Sequence, residues 1–220
     1  MEIMESSTLN IEELLSDKLE KGAVEYCENL TEEKRQNLLQ VLQNNDCHEL
    51  IENCVDGDHL SKAFVLAGEN AHTEIIQIFL DQRMNIDVKD QFGNTALMKA
   101  SSNGHEELVR LLLIKGAIPD IQSNSGGWTA LIWASIQGHK ETVQLLLLQN
   151  ANPDLQGNDG CTALMCASEW NEIEIVQLLL NHGADINLKN KDGKNALDLA
   201  KTEEIKEMIQ NHVNTSYILK

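Results

Sequence analysis

The sequence contains few prolines and few aromatic residues. Only two of its 220 residues are proline, and aromatic side chains make up 4% of the chain. Pro119 and Pro153 both lie just beyond a predicted helix end, where neither interrupts a helix. Because there are only eight Phe, Trp and Tyr residues, each exposed one is of interest as a binding residue. Hydrophobic residues make up 42% of the chain, which is enough for an ordered core.

The sequence also has no long apolar run. No stretch approaches the roughly 20 residues of a membrane-spanning helix, and residues 1–20 are acidic rather than apolar. We therefore expect no membrane span and no secretory signal. The cysteines are odd in number and show no zinc-ligand spacing: Cys27, Cys47, Cys54, Cys161 and Cys166. Reduced, mostly buried thiols in a cytoplasmic protein are the expectation, with the nucleus as the alternative location.

Basic residues are too few to balance the acidic ones. The chain has 17 Lys and Arg against 35 Asp and Glu, a net charge of −18. Residues 1–56 hold 14 acidic and four basic residues, so −10 of this charge lies in the first quarter of the chain. Such a field repels nucleic acid and anionic lipid and favours a protein partner with a basic surface. The alternative is that the acidity serves solubility alone.

No motif indicates catalysis. Neither a Cys–His nor a Ser–His pair has a suitable register, and no phosphate-binding or dinucleotide-binding loop is present. His105 and His139 lie at predicted helix starts, where a structural role is expected. The segments 154–160 and 185–193 lack the order of a calcium-binding loop. We expect no enzyme, metal or cofactor; a reaction site within residues 1–56 is the remaining enzymatic alternative.

One short motif occurs four times. Gly-x-Thr-Ala-Leu, with Asn for Thr in the last copy, begins at Gly93, Gly127, Gly160 and Gly193, at spacings of 34, 33 and 33 residues. A period of about 33 residues predicts a stack of repeated units rather than one globular core. The single extra residue lies within 123–127 and predicts a finger-like turn of different shape there.

Each copy of the repeat predicts a pair of helices. The Thr or Asn of the motif has the side chain of a helix N-cap, and a short helix follows it. A longer helix with a broad apolar ridge comes next. Gly or Asn stands at each predicted helix end, where a left-handed backbone is needed: Gly104, Gly138 and Asn171 after the first helix, and Gly116, Asn150 and Gly183 after the second. The predicted fold class is all-α.

An earlier unit is predicted before the first motif. Ala67, His72 and Phe79 lie 33 residues before their counterparts Ala100, His105 and Leu112, although the turn and cap are missing. The predicted units are 57–89, 90–122, 123–156, 157–189 and 190–213, followed by a tail at 214–220. Residues 1–56 do not repeat and are predicted to form a helical cap on the stack. The alternative is an acidic module with its own partner.

The pattern Gly-x-Thr-Ala-Leu-x-x-Ala-Ser-x-x-Gly-His resembles the ankyrin repeat family, most clearly over 127–152 and 160–187. The resemblance implies a solenoid of antiparallel helix pairs, each with a projecting finger. It also implies a concave face of fingers and first helices that binds other proteins. This chain departs from the family in two places. Ala replaces the usual Pro of the motif, and Met98, Ile132, Met165 and Asp198 replace the usual His, which predicts a more apolar seam.

Positions that vary between copies are the candidates for recognition, because constant positions serve stacking. In the family that the chain resembles, these positions line the concave face. The candidate partner-binding residues are Gln91, Phe92, Asn94, Ser102, Asn103, Trp128, Trp133, Ile136, Gln137, Asp159, Cys161, Glu169, Trp170 and Lys194. Phe92, Trp128 and Trp170 are the favoured anchors, since aromatic residues often dominate binding energy. The alternative, strongest for Trp133, is packing between units.

These features favour a monomeric, non-catalytic adaptor or scaffold. The alternative is a regulatory subunit or inhibitor whose acidic surface blocks a basic site on an enzyme or DNA-binding protein. Raising the salt concentration from roughly 0.1 M to 1 M shortens the Debye length from about 10 Å to about 3 Å. An inhibitor of this kind should lose affinity steeply over that range, whereas an adaptor anchored by aromatic residues should not. A binding titration against the partner at both concentrations distinguishes the two hypotheses.

Overall fold

A computed structural model of the chain describes residues 58–81 and 83–218. The regular structure within these ranges is helical, and no strand occurs among the described residues. The chain separates into two compact units between Asn85 and Ile86. The predicted N-terminal cap, residues 1–56, lies outside the described residues, so the cap remains a prediction.

The described part of the first unit is one helix pair. Helix α1 (Asp58–Glu69) packs against helix α2 (Thr73–Asp81). The rings of Phe64 and Phe79 meet edge to face, with centroids 5.9 Å apart. Between the helices, Ala71 has a φ of +56°, the left-handed conformation that the later copies reach with Gly or Asn. These helices have the pairing expected of a repeat unit without a recognisable finger.

The second unit contains four further helix pairs. Its helices are α3 (Ala96–Ser102), α4 (Glu106–Ile114), α5 (Ala130–Ile136), α6 (Lys140–Leu148), α7 (Ala163–Trp170), α8 (Ile173–Asn181), α9 (Ala196–Leu199) and α10 (Glu203–Ile218). The first helices α3, α5, α7 and α9 pack side by side in chain order, and so do the second helices α4, α6, α8 and α10. Helix α10 continues to Ile218, into the segment 214–220 that the sequence predicts as a tail.

The predicted helix caps are confirmed. The hydroxyls of Thr95, Thr129 and Thr162 each accept a hydrogen bond of 3.2–3.3 Å from the backbone N–H three residues ahead. Asn195 accepts from the N–H of Asp198 at 2.9 Å, and the Asp198 carboxylate accepts from the N–H of Asn195 at 3.1 Å. This reciprocal capping box uses the residue that stands where the family usually has His.

The seam between first helices is apolar in three of the four copies. Met98, Ile132 and Met165 are each only 1% exposed, as their replacement of His predicted. They lie in α3, α5 and α7, which pack on one another. The fourth copy is the exception, because Asp198 is exposed and caps α9.

The predicted left-handed helix ends are all present, with φ between +59° and +94°. At Gly104 the backbone is also crowded, because an added Cβ would lie 2.6 Å from Nδ1 of His139. The other ring nitrogen of His139 lies 3.0 Å from the carbonyl oxygen of Ser102. The imidazole therefore connects two consecutive repeats within the second unit, which confirms its structural role.

Consecutive fingers are joined by a ladder of backbone hydrogen bonds. The N–H of Asn124 donates to the carbonyl of Phe92 at 2.9 Å, and the N–H of Asn158 donates to Gly126 at 2.8 Å. The last rung runs from Lys191 to Asp159 at 2.9 Å. Three aspartates add further hydrogen bonds between consecutive repeats. Each carboxylate accepts a bond of 2.7–3.0 Å from a backbone N–H of the following repeat: Asp87, Asp120 and Asp154.

The finger at 123–127 differs from the others, as its extra residue predicted. In the other three fingers the glycine N–H donates to the carbonyl three residues earlier, as in Gly160 to Gly157. Gly127 instead donates to Ser123, four residues earlier, at 3.0 Å. The insertion is therefore absorbed within the turn, and the helices on either side keep their register.

Gly160→Ala and Gly193→Ala form a matched test of finger stacking. Both glycines have left-handed φ angles, +83° and +78°, so either alanine costs about 1 kcal/mol in backbone strain. A Cβ at Gly160 would also lie 2.9 Å from the Asn190 backbone, whereas a Cβ at Gly193 meets nothing within 4 Å. We expect Gly160→Ala to cost a further 1–3 kcal/mol, roughly, from overpacking, measured by urea denaturation. Equal losses in the two variants would contradict finger stacking as the cause.

Candidate functional site

The candidate residues lie in the fingers and first helices of the second unit, and we call these positions together the finger–helix face. It consists of the finger tips, the residue after each finger glycine, Trp133 within α5 and the C-terminal ends of α3, α5 and α7. Among the candidates the exposed side chains are Gln91, Phe92, Asn103, Gln137, Asp159, Glu169, Trp170 and Lys194. The half-buried ones are Ser102, Trp128, Trp133, Ile136 and Cys161.

Asn94 is the candidate that the structure does not support. It is only 8% exposed. Its backbone N–H donates to the Asp90 carboxylate at 2.8 Å, and its side-chain amide donates to the same carboxylate at 3.2 Å. Asn94 therefore closes its own finger and offers a partner little surface.

Trp128 and Trp133 pack against each other at the start of α5. Their rings meet edge to face with centroids 4.6 Å apart and an interplanar angle of 73°. Trp128 precedes the N-cap Thr129 and Trp133 is the fourth residue of the helix, so the pair occupies the two positions of a hydrophobic staple. Packing between the two rings, which was the alternative to binding a partner, therefore covers part of both side chains.

The next finger covers part of Trp128. A Cβ added to Gly157 would lie 2.6 Å from Cδ1 and 2.8 Å from Nε1 of the indole. Gly157 corresponds to Asp90, Ser123 and Asn190 in the other copies, whose side chains accept hydrogen bonds from their own fingers. The sequence analysis missed this contact, although a glycine at a position that the other copies fill with Asp, Ser or Asn was its signal.

Trp170 is the most exposed of the three tryptophans. It ends α7, and 58% of its surface is accessible. Nζ of Lys201 lies 5.7 Å from the ring centroid, within the range of a cation–π interaction. The side chain of the adjacent residue is tied to the next repeat, because Thr202 Oγ1 donates to Asn171 Oδ1 at 2.9 Å. The structure thus presents an exposed indole on a well-anchored helix end.

Phe92 has a similar combination at the tip of the first finger. Its side chain is 54% exposed. Its backbone N–H donates to the Asp90 carboxylate at 2.9 Å, and its carbonyl accepts from Asn124 and Ser125 at 2.9 and 3.2 Å. The backbone is held on both sides while the ring remains exposed.

Cys161 lies between two fingers and beside a second thiol. Its backbone N–H donates to the Asp159 carboxylate at 2.9 Å, and the Asn190 amide donates to its sulfur at 3.7 Å. A hydrogen bond from the Cys166 thiol, followed by the Asn190 amide, lowers the pKa of Cys161 despite partial burial and the nearby carboxylate of Asp159. The two cysteines are free thiols.

A second group of exposed apolar residues lies elsewhere in the unit, and the sequence analysis did not single it out. Ile114 and Leu148 are the last residues of α4 and α6 and are 72% and 62% exposed. Ile118, just beyond α4, is 54% exposed. In the sequence, the apolar ridges of α4 and α6 each continue one residue beyond the last buried leucine, and this extra residue indicated the exposed group.

The described residues show neither a metal cluster nor a membrane helix. Within 58–81 and 83–218, no group of three His, Cys, Asp or Glu side chains is placed to hold a metal ion. None of the helices in that part of the chain has the length and apolarity needed to cross a membrane.

Stacked helix pairs joined by a finger ladder define a repeat protein that displays one extended side. A family model of ankyrin repeats, described as three copies, matches the chain at 34–123, 63–157, 100–190 and 141–211. These overlapping matches cover well over half of the sequence. The chain belongs to the ankyrin repeat family.

Two zebrafish (Danio rerio) proteins match shorter stretches. Ankyrin repeat domain-containing protein 29 is 40% identical over 64 residues, which cover 29% of this chain and 22% of that protein. Inversin is 40% identical over 60 residues, which cover 26% of this chain and 6% of that protein. The chain therefore matches less than a quarter of either relative, and the similarity concerns the repeats.

Alanine substitutions of two tryptophans separate packing from exposure. Trp128→Ala removes a ring that packs on Trp133 and Gly157, so we expect a loss of about 2–3 kcal/mol in the free energy of unfolding. Trp170→Ala removes a largely exposed ring, so we expect a loss of about 0.5 kcal/mol or less. Chemical denaturation followed by circular dichroism measures both. Similar losses would contradict the different packing of the two side chains.

Proposed function

We propose that the protein is a non-catalytic adaptor or scaffold whose finger–helix face binds a partner protein, with Trp170 as the main anchor. Ankyrin repeats are generally protein–protein interaction modules, and the family is generally non-catalytic. The observation that carries the proposal is the exposure of Trp170, 58%, on a helix end that is hydrogen-bonded to the next unit. A rigid aromatic side chain supplies much contact area at little entropic cost.

Phe92 is proposed as the second anchor. Its ring and that of Trp170 belong to units two repeats apart, and neighbouring helices lie about 10 Å apart. The two anchors therefore span roughly 20 Å, a suitable scale for an interface of about 800 Å² per partner. The polar surface between them is proposed to supply hydrogen bonds and orientation. This surface includes Ser102, Asn103, Gln137, Asp159, Cys161 and Glu169, and the remaining candidates Gln91, Ile136, Lys194 and the exposed parts of Trp128 and Trp133 complete the face.

The charges on this face favour the adaptor over the acidic inhibitor. Exposed acidic and basic residues both occur in the last two repeats, where Glu169 and Asp192 accompany Lys194 and Lys201. The strongly acidic part of the chain, residues 1–56, contributes the field on which the inhibitor hypothesis rests. A mixed face selects a partner by local pairing, while the overall negative charge disfavours nucleic acid and anionic membranes. We place the protein in the cytoplasm or nucleus, acting as a monomer.

Affinity purification with three baits tests the proposal. The baits are the wild-type chain, Trp170→Ala and the control Leu148→Ala, which truncates an equally exposed side chain at the end of a second helix. Proteins retained by the wild type and the control but lost from Trp170→Ala are candidates for the face. For such a partner, isothermal titration calorimetry should show about 30-fold weaker binding to Trp170→Ala, the effect of about 2 kcal/mol.

Two results would overturn this assignment. One is an unchanged dissociation constant for Trp170→Ala with every partner recovered, and the other is an equal loss with Leu148→Ala. Because Trp170→Ala is expected to keep the stability of the wild type, a loss of binding with an unchanged melting curve reports the contact itself. Phe92→Ala should behave like Trp170→Ala, with a smaller effect.

A further inference from the structure

Cys161 and Cys166 lie at two positions that the repeat brings into contact. They flank the N-cap Thr162, with Cys161 just before it and Cys166 as the fourth residue of α7. These are the staple positions at which Trp128 and Trp133 meet in the preceding unit. Here the two positions hold thiols, which lie close enough for each to shift the pKa of the other. The fold therefore holds two reduced sulfurs side by side.

The two thiols differ in their access to solvent. Cys161 is half-buried and lies on the finger–helix face, whereas Cys166 is only 7% exposed. A small oxidant therefore reaches the sulfur of Cys161 first, and Cys166 is shielded behind it. A reactive thiol with a second thiol behind it is the arrangement of a redox-sensitive cysteine pair.

The Asn190 amide and the smaller burial of Cys161 favour the thiolate at Cys161 rather than at Cys166. The neighbouring Cys166 thiol lowers the pKa of Cys161, and so does the Asn190 amide, which donates to the Cys161 sulfur at 3.7 Å. Donation to Cys161 and burial raise the pKa of Cys166, as do the negative charges of Asp159 and Glu169. Asp159 and partial burial oppose ionisation of Cys161 but do not outweigh the two donors.

We propose that Cys161 and Cys166 form a redox-active dithiol that hydrogen peroxide converts into an intramolecular disulfide. The Cys161 thiolate attacks one peroxide oxygen, the O–O bond breaks, and the products are a sulfenic acid and hydroxide. The Cys166 sulfur then displaces the sulfenic oxygen, which leaves as water together with the Cys166 proton. Overall, two thiols are oxidised and one peroxide is reduced to two waters. The proposal does not depend on the identity of any binding partner.

Peptide mapping of the full-length chain tests the proposal. The reduced protein is treated with stoichiometric hydrogen peroxide, alkylated under denaturing conditions and digested with trypsin. Both cysteines fall in the single tryptic peptide 141–189, because no Lys or Arg interrupts it. We expect that peptide to lose two hydrogens and to resist alkylation, and dithiothreitol to restore both thiols. Two alkylated cysteines in this peptide, or disulfides from it to Cys27, Cys47 or Cys54, would overturn the proposal.

Two single variants identify the order of the steps. Cys166→Ser should leave a sulfenic acid on Cys161 that dimedone traps, since no second thiol remains to condense with it. Cys161→Ser should leave Cys166 fully alkylatable after denaturation, because its sulfur is shielded during the oxidation. Equal dimedone labelling in both variants would contradict the assignment of Cys161 as the attacking thiol.

The wild-type chain in urea provides a control that needs no variant. Unfolding removes the contact between the thiols, so oxidation in urea should distribute disulfides among all five cysteines. The folded chain should instead give the pair within 141–189. If the folded and unfolded chains give the same pairing pattern, the fold does not direct the reaction and the proposal is wrong.

Discussion

The close approach of consecutive fingers is the constraint on which the second unit depends. Where another finger follows, at Gly93, Gly127 and Gly160, a Cβ on the glycine would lie within 3 Å of that finger. The same approach brings each backbone donor within 2.8–2.9 Å of the preceding carbonyl. The close approach at the glycine and the backbone hydrogen bond both recur every 33 or 34 residues. The backbone geometry of the fingers therefore contributes to the length of the repeat, together with the burial of side chains. The first helices then pack in order because the turns before them are already aligned.

A scaffold fixed in this way leaves the two staple positions of each first helix free to vary. They lie one residue before the N-cap and four residues after it, and their side chains meet wherever both are long enough. In α5 they hold two indoles, and in α7 they hold two thiols. The same local geometry therefore supports a packing contact in one repeat and the proposed redox-active pair in the next. A change of chemistry at these positions leaves the caps and the helix seam intact.

The fold was predictable from the sequence because its determinants are local. A Thr or Asn cap, a Gly or Asn at a left-handed turn and one inserted residue each act within a few positions of themselves. Exposure at the varying positions was not predictable in this way. Asn94 and Trp128 follow equivalent glycines, yet Asn94 is buried by its bonds to Asp90 and Trp128 is covered by Gly157. Those contacts come from the rest of the finger or from the next one, which the motif does not encode.

The exposure of Trp170 has a comparable origin in its neighbour. The first helices α3, α5 and α7 have seven or eight residues, but α9 ends after four, at Leu199. Ala200 is already extended, with φ −60° and ψ 122°, so the chain leaves the helix layer one turn early. Lys201 and Thr202 then reach the end of α7 from this loop, one to the indole and the other to Asn171. Because a short helix and its loop, rather than a full helix, lie beside Trp170, the ring keeps a large accessible surface while the loop still contacts the end of α7.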